Sequence, residues 1–183
     1  RSHCPVRLPR RPADRRPERL RRSVVAAAGA AGGGPATGAA GTRAGAGAGG
    51  RSRSYQPVYV PWGMVGGKWM IGGVSFGETI ASALGVPFVM GVAEGISRAR
   101  YYPDFRKIRV KLLAEPRTLR LIGAQLVGGE GIKERCDFLA MAARKGVTLE
   151  ELAWMENVYS PAIGALNEPI ALAAQNGLGN ARS

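Results

Sequence analysis

The sequence is poor in the residues that most often carry chemistry. Its 183 residues include two cysteines, Cys4 and Cys136, and one histidine, His3. The cysteines have no metal-ligand spacing and suggest no disulfide framework, which fits a reducing compartment, so we expect a cytoplasmic protein. Residues 55–183 offer no Ser-His or Cys-His pair. No run of about 18 apolar residues occurs, so no membrane association is expected.

Acidic residues are scarce in the first third of the chain. Residues 1–54 contain 12 arginines against two acids, a net charge of +10, which leaves +3 of the total +13 for residues 55–183. From Val24 to Gly50 the chain is nearly all alanine and glycine, with no aromatic residue. Such a segment buries too little apolar surface to offset its ordering entropy. Residues 1–54 are therefore predicted to be a disordered basic tail.

Three interpretations of residues 1–54 stay open: weak, non-specific nucleic-acid or acidic-surface binding, a transit peptide, and out-of-frame translation of GC-rich DNA. The glycines between residues 29 and 38 do not predict a dinucleotide site. That fingerprint needs a strand before it and an acid about 20 residues later. Val24 and Val25 alone make no strand, and no acid lies between Glu18 and Glu78.

Residues 55–67 are predicted to be a loop that leads into a domain spanning residues 68–179. After a short strand, Ser75 and Glu78 have capping-box spacing and predict a helix. Three strands follow within residues 86–127, since Lys107–Glu115 alternates between apolar and charged positions. The remaining pattern is helical, with a second capping box at Thr148 and Glu151 and a last helix ending at Gly177. The predicted fold is α+β: an antiparallel sheet of three to four strands with helices on one face.

No catalytic constellation is predicted within the chain. Cys136 lies in the apolar stripe of its helix, where a packed thiol is expected rather than a nucleophile. Glu134 and Asp137 flank it as solvated charges. The chain by itself is therefore not predicted to be an active enzyme.

The segment from Val158 to Ala174 is the most distinctive part of the sequence. Pro161 fixes its own φ and biases Ser160 toward extended geometry, so Tyr159 is expected on a rigid, non-helical stretch. Pro169 suits the first turn of a helix, with Asn167 or Glu168 as candidate cap. Two interpretations stay open: Tyr159 is a buried core residue, or it is presented for function.

Val-Tyr-Ser-Pro at 158–161 and Asn-Glu-Pro at 167–169 resemble the terminal motif of the FAD- and NAD(P)-dependent disulfide oxidoreductases, in the coenzyme A-disulfide reductase and NADH oxidase branch. Tyr101-Tyr102-Pro103 and the stretch Ile122–Gly128 extend the resemblance. It covers about residues 68–176 and implies the C-terminal dimerisation domain of that family. The resemblance implies FAD and NAD(P)H for the full-length family. For this chain alone we expect no bound flavin or other cofactor and no metal.

The resemblance also implies roles and partners. Tyr159 and Tyr102 are expected to face the substrate across a dimer, with Ser160, Pro161 and Pro169 positioning the motif. The partner is expected to be a second copy, through the sheet and the final helix, or a separate flavoprotein subunit. The chain departs from the family motif at Ala162, at Asn167-Glu168, and at Leu119, where a turn glycine is expected. The alternative function is a non-catalytic module that binds nucleic acid or acidic surfaces through its basic tail.

Overall fold

The protein is described by a computed structural model that covers residues 59–182. The predicted tail, residues 1–54, and the start of the predicted loop lie outside the described residues. Five strands and four helices follow one another within this range: β1 (Pro61–Gly66), β2 (Trp69–Val74), α1 (Glu78–Ala83), β3 (Val89–Ile96), β4 (Lys107–Ala114), β5 (Leu121–Gly128), α2 (Ile132–Lys145), α3 (Leu149–Ala153) and α4 (Pro169–Arg182).

The strands form one antiparallel sheet in the order β1-β2-β5-β4-β3, which confirms the α+β fold class. It has five strands rather than three or four because β1 lies inside the predicted loop and pairs with β2. Gly73 of β2 permits the close approach of β1, since a Cβ on it would lie 2.7 Å from the ring of Trp62. Gly67 supplies the positive φ of 59° that the hairpin turn requires.

The main core lies between the sheet and three helices, α2, α3 and α4. As predicted, Ile108, Val110 and Leu112 of β4 face this core and are fully buried. Leu113 points to the opposite face, where it packs with Phe76 and residues around α1. The sheet therefore carries three helices on one face and the short α1 on the other.

Helix ends test the predicted caps. Thr148 and Glu151 form the expected capping box at the start of α3. The capping box predicted for α1 is wrong, because Ser75 adopts a left-handed φ of 60° and the N-cap is Gly77, without a side-chain hydrogen bond. Glu78 instead accepts a hydrogen bond from Lys111 at 2.6 Å, across the face of the sheet. The Glu78 side chain thus bonds to β4, and no side chain caps the start of α1.

The final helix, α4, continues to Arg182 and does not end at Gly177 as predicted. Gly177 lies against Gly91 of β3, so its missing side chain permits a close helix–strand contact rather than a helix stop. Asn176 and Asn180 also bond to β3: the Val92 amide donates to Asn176 Oδ1, and Asn180 Nδ2 donates to the Met90 carbonyl, both at 2.9 Å. These two side chains cover part of the outer edge of β3, which has no strand partner in the described sheet, while its inner edge pairs with β4.

Candidate functional site

Tyr159 lies in the irregular segment between α3 and α4. A tight turn follows the tyrosine: the Ser160 carbonyl accepts hydrogen bonds from the amides of Ile163 at 3.0 Å and Gly164 at 2.8 Å. Pro161 occupies the second position of this turn, where its fixed φ is favourable. Ser160 and Pro161 thus form a hydrogen-bonded turn next to Tyr159, and their role in positioning a site stays a prediction.

The two tyrosine motifs are joined through their backbones. The Ala99 amide donates to the Pro161 carbonyl at 3.0 Å, and the Tyr102 amide donates to the Ala99 carbonyl at 3.0 Å. Ala99 therefore connects the loop of Tyr102 directly to the turn that follows Tyr159. No sequence pattern indicated this residue, because the contact uses only main-chain atoms.

Tyr159 is presented at the surface rather than packed in the core. It is 55% exposed, so the interpretation of Tyr159 as a buried core residue is wrong. Tyr102 is partly buried, and its ring lies 5.2 Å from that of Tyr101, centroid to centroid. A hydroxyl in the position of Tyr159 is free to donate a hydrogen bond to a group outside this domain.

The segment that holds Tyr159 carries several large, exposed apolar side chains. We define the tyrosine face as the exposed apolar residues of this segment: Trp154, Val158, Tyr159, Ile163 and Leu166. Five such side chains within 13 residues of the sequence are typical of an interaction surface. Isolated exposed apolar residues would need no such explanation.

A partly buried ion pair fixes the C-terminal end of the segment. Arg135 of α2 donates from Nε and Nη2 to the two carboxylate oxygens of Glu168, at 2.6 and 2.9 Å. The two side chains are only 17% and 15% exposed. Glu168 was predicted as a candidate helix cap, but its side chain binds Arg135, while Pro169 begins α4 as predicted. The pairing of residues 33 apart could not be read from the sequence.

A cleft of about 500 Å³ separates the Tyr102 loop, the end of β3 and the end of the Tyr159 segment. Its charged lining residues are Arg100, Lys107 and Glu94. Lys107 bonds to Glu94 at 2.9 Å, and this hydrogen bond lowers the pKa of the Glu94 carboxyl. The remaining lining is mainly apolar, contributed by Ile96, Phe105, Ala165, Leu166 and Leu172.

Cys136 is buried in the core face of α2, as predicted. Burial, with Asp137 and Glu134 nearby, raises the pKa of its thiol to about 11. The thiol is therefore protonated at neutral pH and is a poor nucleophile. Within residues 59–182 no group of three or more histidine, cysteine or acidic side chains is placed to hold a metal.

The described residues do not fit FAD or NAD(P)H as a bound dinucleotide. Every strand pair in the sheet is antiparallel, whereas the dinucleotide-binding fold needs parallel strands with a glycine-rich turn leading into a helix.

The described helices include none with the length and apolarity that a membrane span requires.

The fold and the tyrosine motifs together define a dimerisation domain of redox enzymes. Residues 64–169 match the family described as "Pyridine nucleotide-disulphide oxidoreductase, dimerisation domain", and the chain belongs to this family. The chain is 38% identical over 112 residues to an NADH oxidase of Methanocaldococcus jannaschii, a match that covers 61% of this chain and 25% of the relative. A coenzyme A disulfide reductase of Staphylococcus aureus is 31% identical over 65 residues, covering 36% of this chain and 15% of the relative.

Solved structures have the same fold. A NAD-dependent persulfide reductase from A. fulgidus superposes with a TM-score of 0.64 at 27% identity, covering 71% of this chain and 24% of that one. The water-forming NADH oxidase of Lactobacillus brevis gives a TM-score of 0.66 at 16% identity, covering 72% and 29% of the two chains, and supports the fold alone. The chain thus spans about a quarter of the length of the M. jannaschii relative and of the A. fulgidus structure.

Proposed function

We propose that this chain is the dimerisation domain of a flavin-dependent NAD(P)H disulfide oxidoreductase similar to NADH oxidase or coenzyme A-disulfide reductase, and that its tyrosine face completes the active site of a partner subunit. The observation that carries the proposal is the exposure of Tyr159 on an anchored segment. The turn at Ser160 holds the segment next to Tyr159, and the Arg135–Glu168 pair holds its C-terminal end. A side chain held in this way is pre-organised for binding.

The chemistry we assign to Tyr159 is hydrogen-bond donation. A phenol donates to a thiolate, peroxide or oxyanion that develops in the facing active site, and stabilises that charge where water is excluded. Val158 and Ile163 exclude water by packing against the partner, since both are exposed and apolar. Tyr102, linked to this segment through Ala99, supports the same site. FAD and NAD(P)H belong to other domains of such an enzyme.

The test uses a chimaera in which residues 59–183 replace the matching region of the M. jannaschii NADH oxidase. We expect Tyr159→Phe to lower the rate of NADH oxidation by about 10-fold or more, as loss of a donor aimed at developing charge does. Tyr101→Phe is the matched control. Tyr101 is 75% exposed, and the substitution removes the same hydroxyl from a neighbouring loop.

Thermal unfolding of the isolated chain tests whether Tyr159 contributes to stability rather than to function. We expect Tyr159→Phe to leave its thermal midpoint unchanged, because an exposed hydroxyl makes its hydrogen bonds to water. A lower midpoint together with normal turnover in the chimaera would assign Tyr159 to packing and contradict the proposal.

The alternative function is nucleic-acid binding by the basic tail. It rests on residues 1–54, outside the described range, and no contact in the described domain favours it.

A further inference from the structure

The loop that carries Tyr102 is closed by its own hydrogen bonds. It spans residues 97–106 and connects β3 to β4. At its base, the Ser97 amide donates to the Arg106 carbonyl at 2.8 Å, and the Arg106 amide donates to Ser97 Oγ at 2.9 Å. Inside the loop, the Phe105 amide donates to the Tyr102 carbonyl at 3.2 Å. These bonds hold the loop together, but they do not fix where it lies relative to other elements.

Arg98 joins this loop to a second element through its guanidinium group. Arg98 Nη1 donates to Asp104 Oδ2 at 2.7 Å, across the turn that holds Tyr102. Arg98 Nη2 donates to Glu130 Oε2 at 3.0 Å, and Glu130 lies in the connection between β5 and α2. The Arg98 side chain is 20% exposed, so most of it lies inside the fold. One planar group therefore closes the Tyr102 turn and anchors it to the connection before α2.

Arg98 is expected to contribute little to the stability of the fold. Its carboxylate partners, Asp104 and Glu130, are 58% and 82% exposed, and ion pairs with exposed partners are weakened by water and salt. Arg98 Nε is buried and has no hydrogen-bond partner among the described residues, so its desolvation is not compensated. Two directional bonds with little net stability are suited to fixing the position of a loop.

We propose that Arg98 is a positioning residue of the site assigned to Tyr159 and Tyr102, an inference that rests on the proposed function. The next residue, Ala99, donates its amide hydrogen to the Pro161 carbonyl. Adjacent residues thus tie the loop to two different elements, to the α2 connection through Arg98 and to the Tyr159 turn through Ala99. A single hydrogen bond leaves the loop free to rotate about it, whereas two ties fix the orientation of the loop relative to Tyr159.

Hydrogen exchange in the 183-residue chain tests the position of the loop without an enzyme assay. We expect Arg98→Gln to speed exchange of the Ala99 and Tyr102 amides by about 10-fold or more, because the loop then opens without breaking two charge-assisted bonds. The urea midpoint should not change. Lys133→Gln is the control, since it removes a cation from a surface pair on α2 and should alter neither measurement. Unchanged exchange in Arg98→Gln, or a lower midpoint with faster exchange throughout the domain, would overturn the assignment.

Turnover of the chimaera tests whether the loop position matters for the reaction. We expect Arg98→Gln to lower kcat for NADH oxidation by about 10-fold through misplacement of Tyr102, and to leave the KM for NADH unchanged because NADH binds in other domains. In a chimaera that already carries Tyr102→Phe, Arg98→Gln should lower kcat by less than about two-fold more, since both substitutions then act on the same hydroxyl. Additive losses would assign Arg98 to a general structural role.

Failure of this assignment can be distinguished from failure of the proposed function. If Tyr159→Phe slows the chimaera but Arg98→Gln or Tyr102→Phe does not, the proposed function stands and the positioning role of Arg98 is wrong. If neither Tyr159→Phe nor Arg98→Gln changes turnover although the loop amides exchange faster in Arg98→Gln, the proposed function fails, and Arg98 holds the loop without serving a site.

Discussion

Arg135 and Glu168 form a bidentate ion pair that joins the first turn of α2 to the residue before α4. Arg135 Nη1 also bonds to the Gly131 carbonyl at 3.1 Å, so the guanidinium bridges the start of one helix to the start of another. The Tyr159 segment ends on this pair. Its geometry therefore depends on two charges that are largely removed from water.

Arg135→Gln is expected to destabilise the domain by about 3 kcal/mol, because removing one partner leaves a mostly buried charge uncompensated. Urea unfolding of the 183-residue chain measures this. Lys133→Gln is the control: its pair with Asp137 is at the surface of the same helix, and we expect no measurable change in the unfolding midpoint. Equal effects of the two substitutions would contradict a special role for the Arg135 pair.

Gly91→Ala is expected to destabilise the domain by about 2 kcal/mol or more, because the added Cβ overlaps the Ala173 carbonyl and the backbone of Gly177. Gly179→Ala, in the helix α4 that packs on β3, is the contrasting variant. No atom lies within 4 Å of the position of its Cβ, so the higher helix propensity of alanine should stabilise by about 0.5–1 kcal/mol. Thermal unfolding measures the change in stability of each variant. Changes of the same sign in both variants would show that α4 does not cross β3 as described.

Thr148→Ala is expected to cost about 1 kcal/mol at neutral pH through loss of the α3 cap. Hydrogen bonds from the Thr148 backbone and side chain lower the pKa of Glu151 from 4.5. An acid with a lowered folded-state pKa contributes stability above its unfolded pKa and loses it as pH falls through the folded value. The difference between wild type and Thr148→Ala should therefore shrink below pH 4.5 in unfolding titrations. A constant difference would argue against the capping box.

Cys136 is expected to resist alkylation in the folded protein. In a Cys4→Ser background, iodoacetamide should react with Cys136 slowly at pH 8, with a rate that rises toward a pKa of about 11 rather than 9.0. After unfolding in urea, the reaction should be fast and follow the lower pKa. Fast labelling of the native protein would show that the thiol is accessible and reactive.

The strands and helices with clear periodicity were predictable from the sequence, and those that depend on distant contacts were not. β4 and α2 follow their apolar patterns, and Gly146 ends α2 with a left-handed φ of 74°. β1 was missed because Pro61 and its glycines favour a loop, and only pairing with β2 makes it a strand. Leu119 adopts a φ of 55° where the family motif has glycine, and its side chain still packs against the core.

The candidate site was predicted as a list of residues but not as an arrangement. Tyr159, Tyr102 and Pro169 were recognisable from the motif, whereas the Ala99–Pro161 hydrogen bond joins main-chain atoms 62 residues apart. Exposure of Tyr159 depends on how α3 and α4 flank the segment, which local patterns do not encode. Its proposed contact with a partner stays a prediction.

Mixed dimers test most directly whether Tyr159 acts across the subunit interface. One chimaeric subunit carries Tyr159→Phe with the redox cysteine, which the family resemblance implies for the nucleotide-binding part, intact. The other carries Tyr159 with that cysteine replaced by serine. If Tyr159 completes the site of its partner, each mixed dimer contains one complete site and recovers about half of the wild-type rate of NADH oxidation. A rate no higher than that of the Tyr159→Phe homodimer would contradict the account.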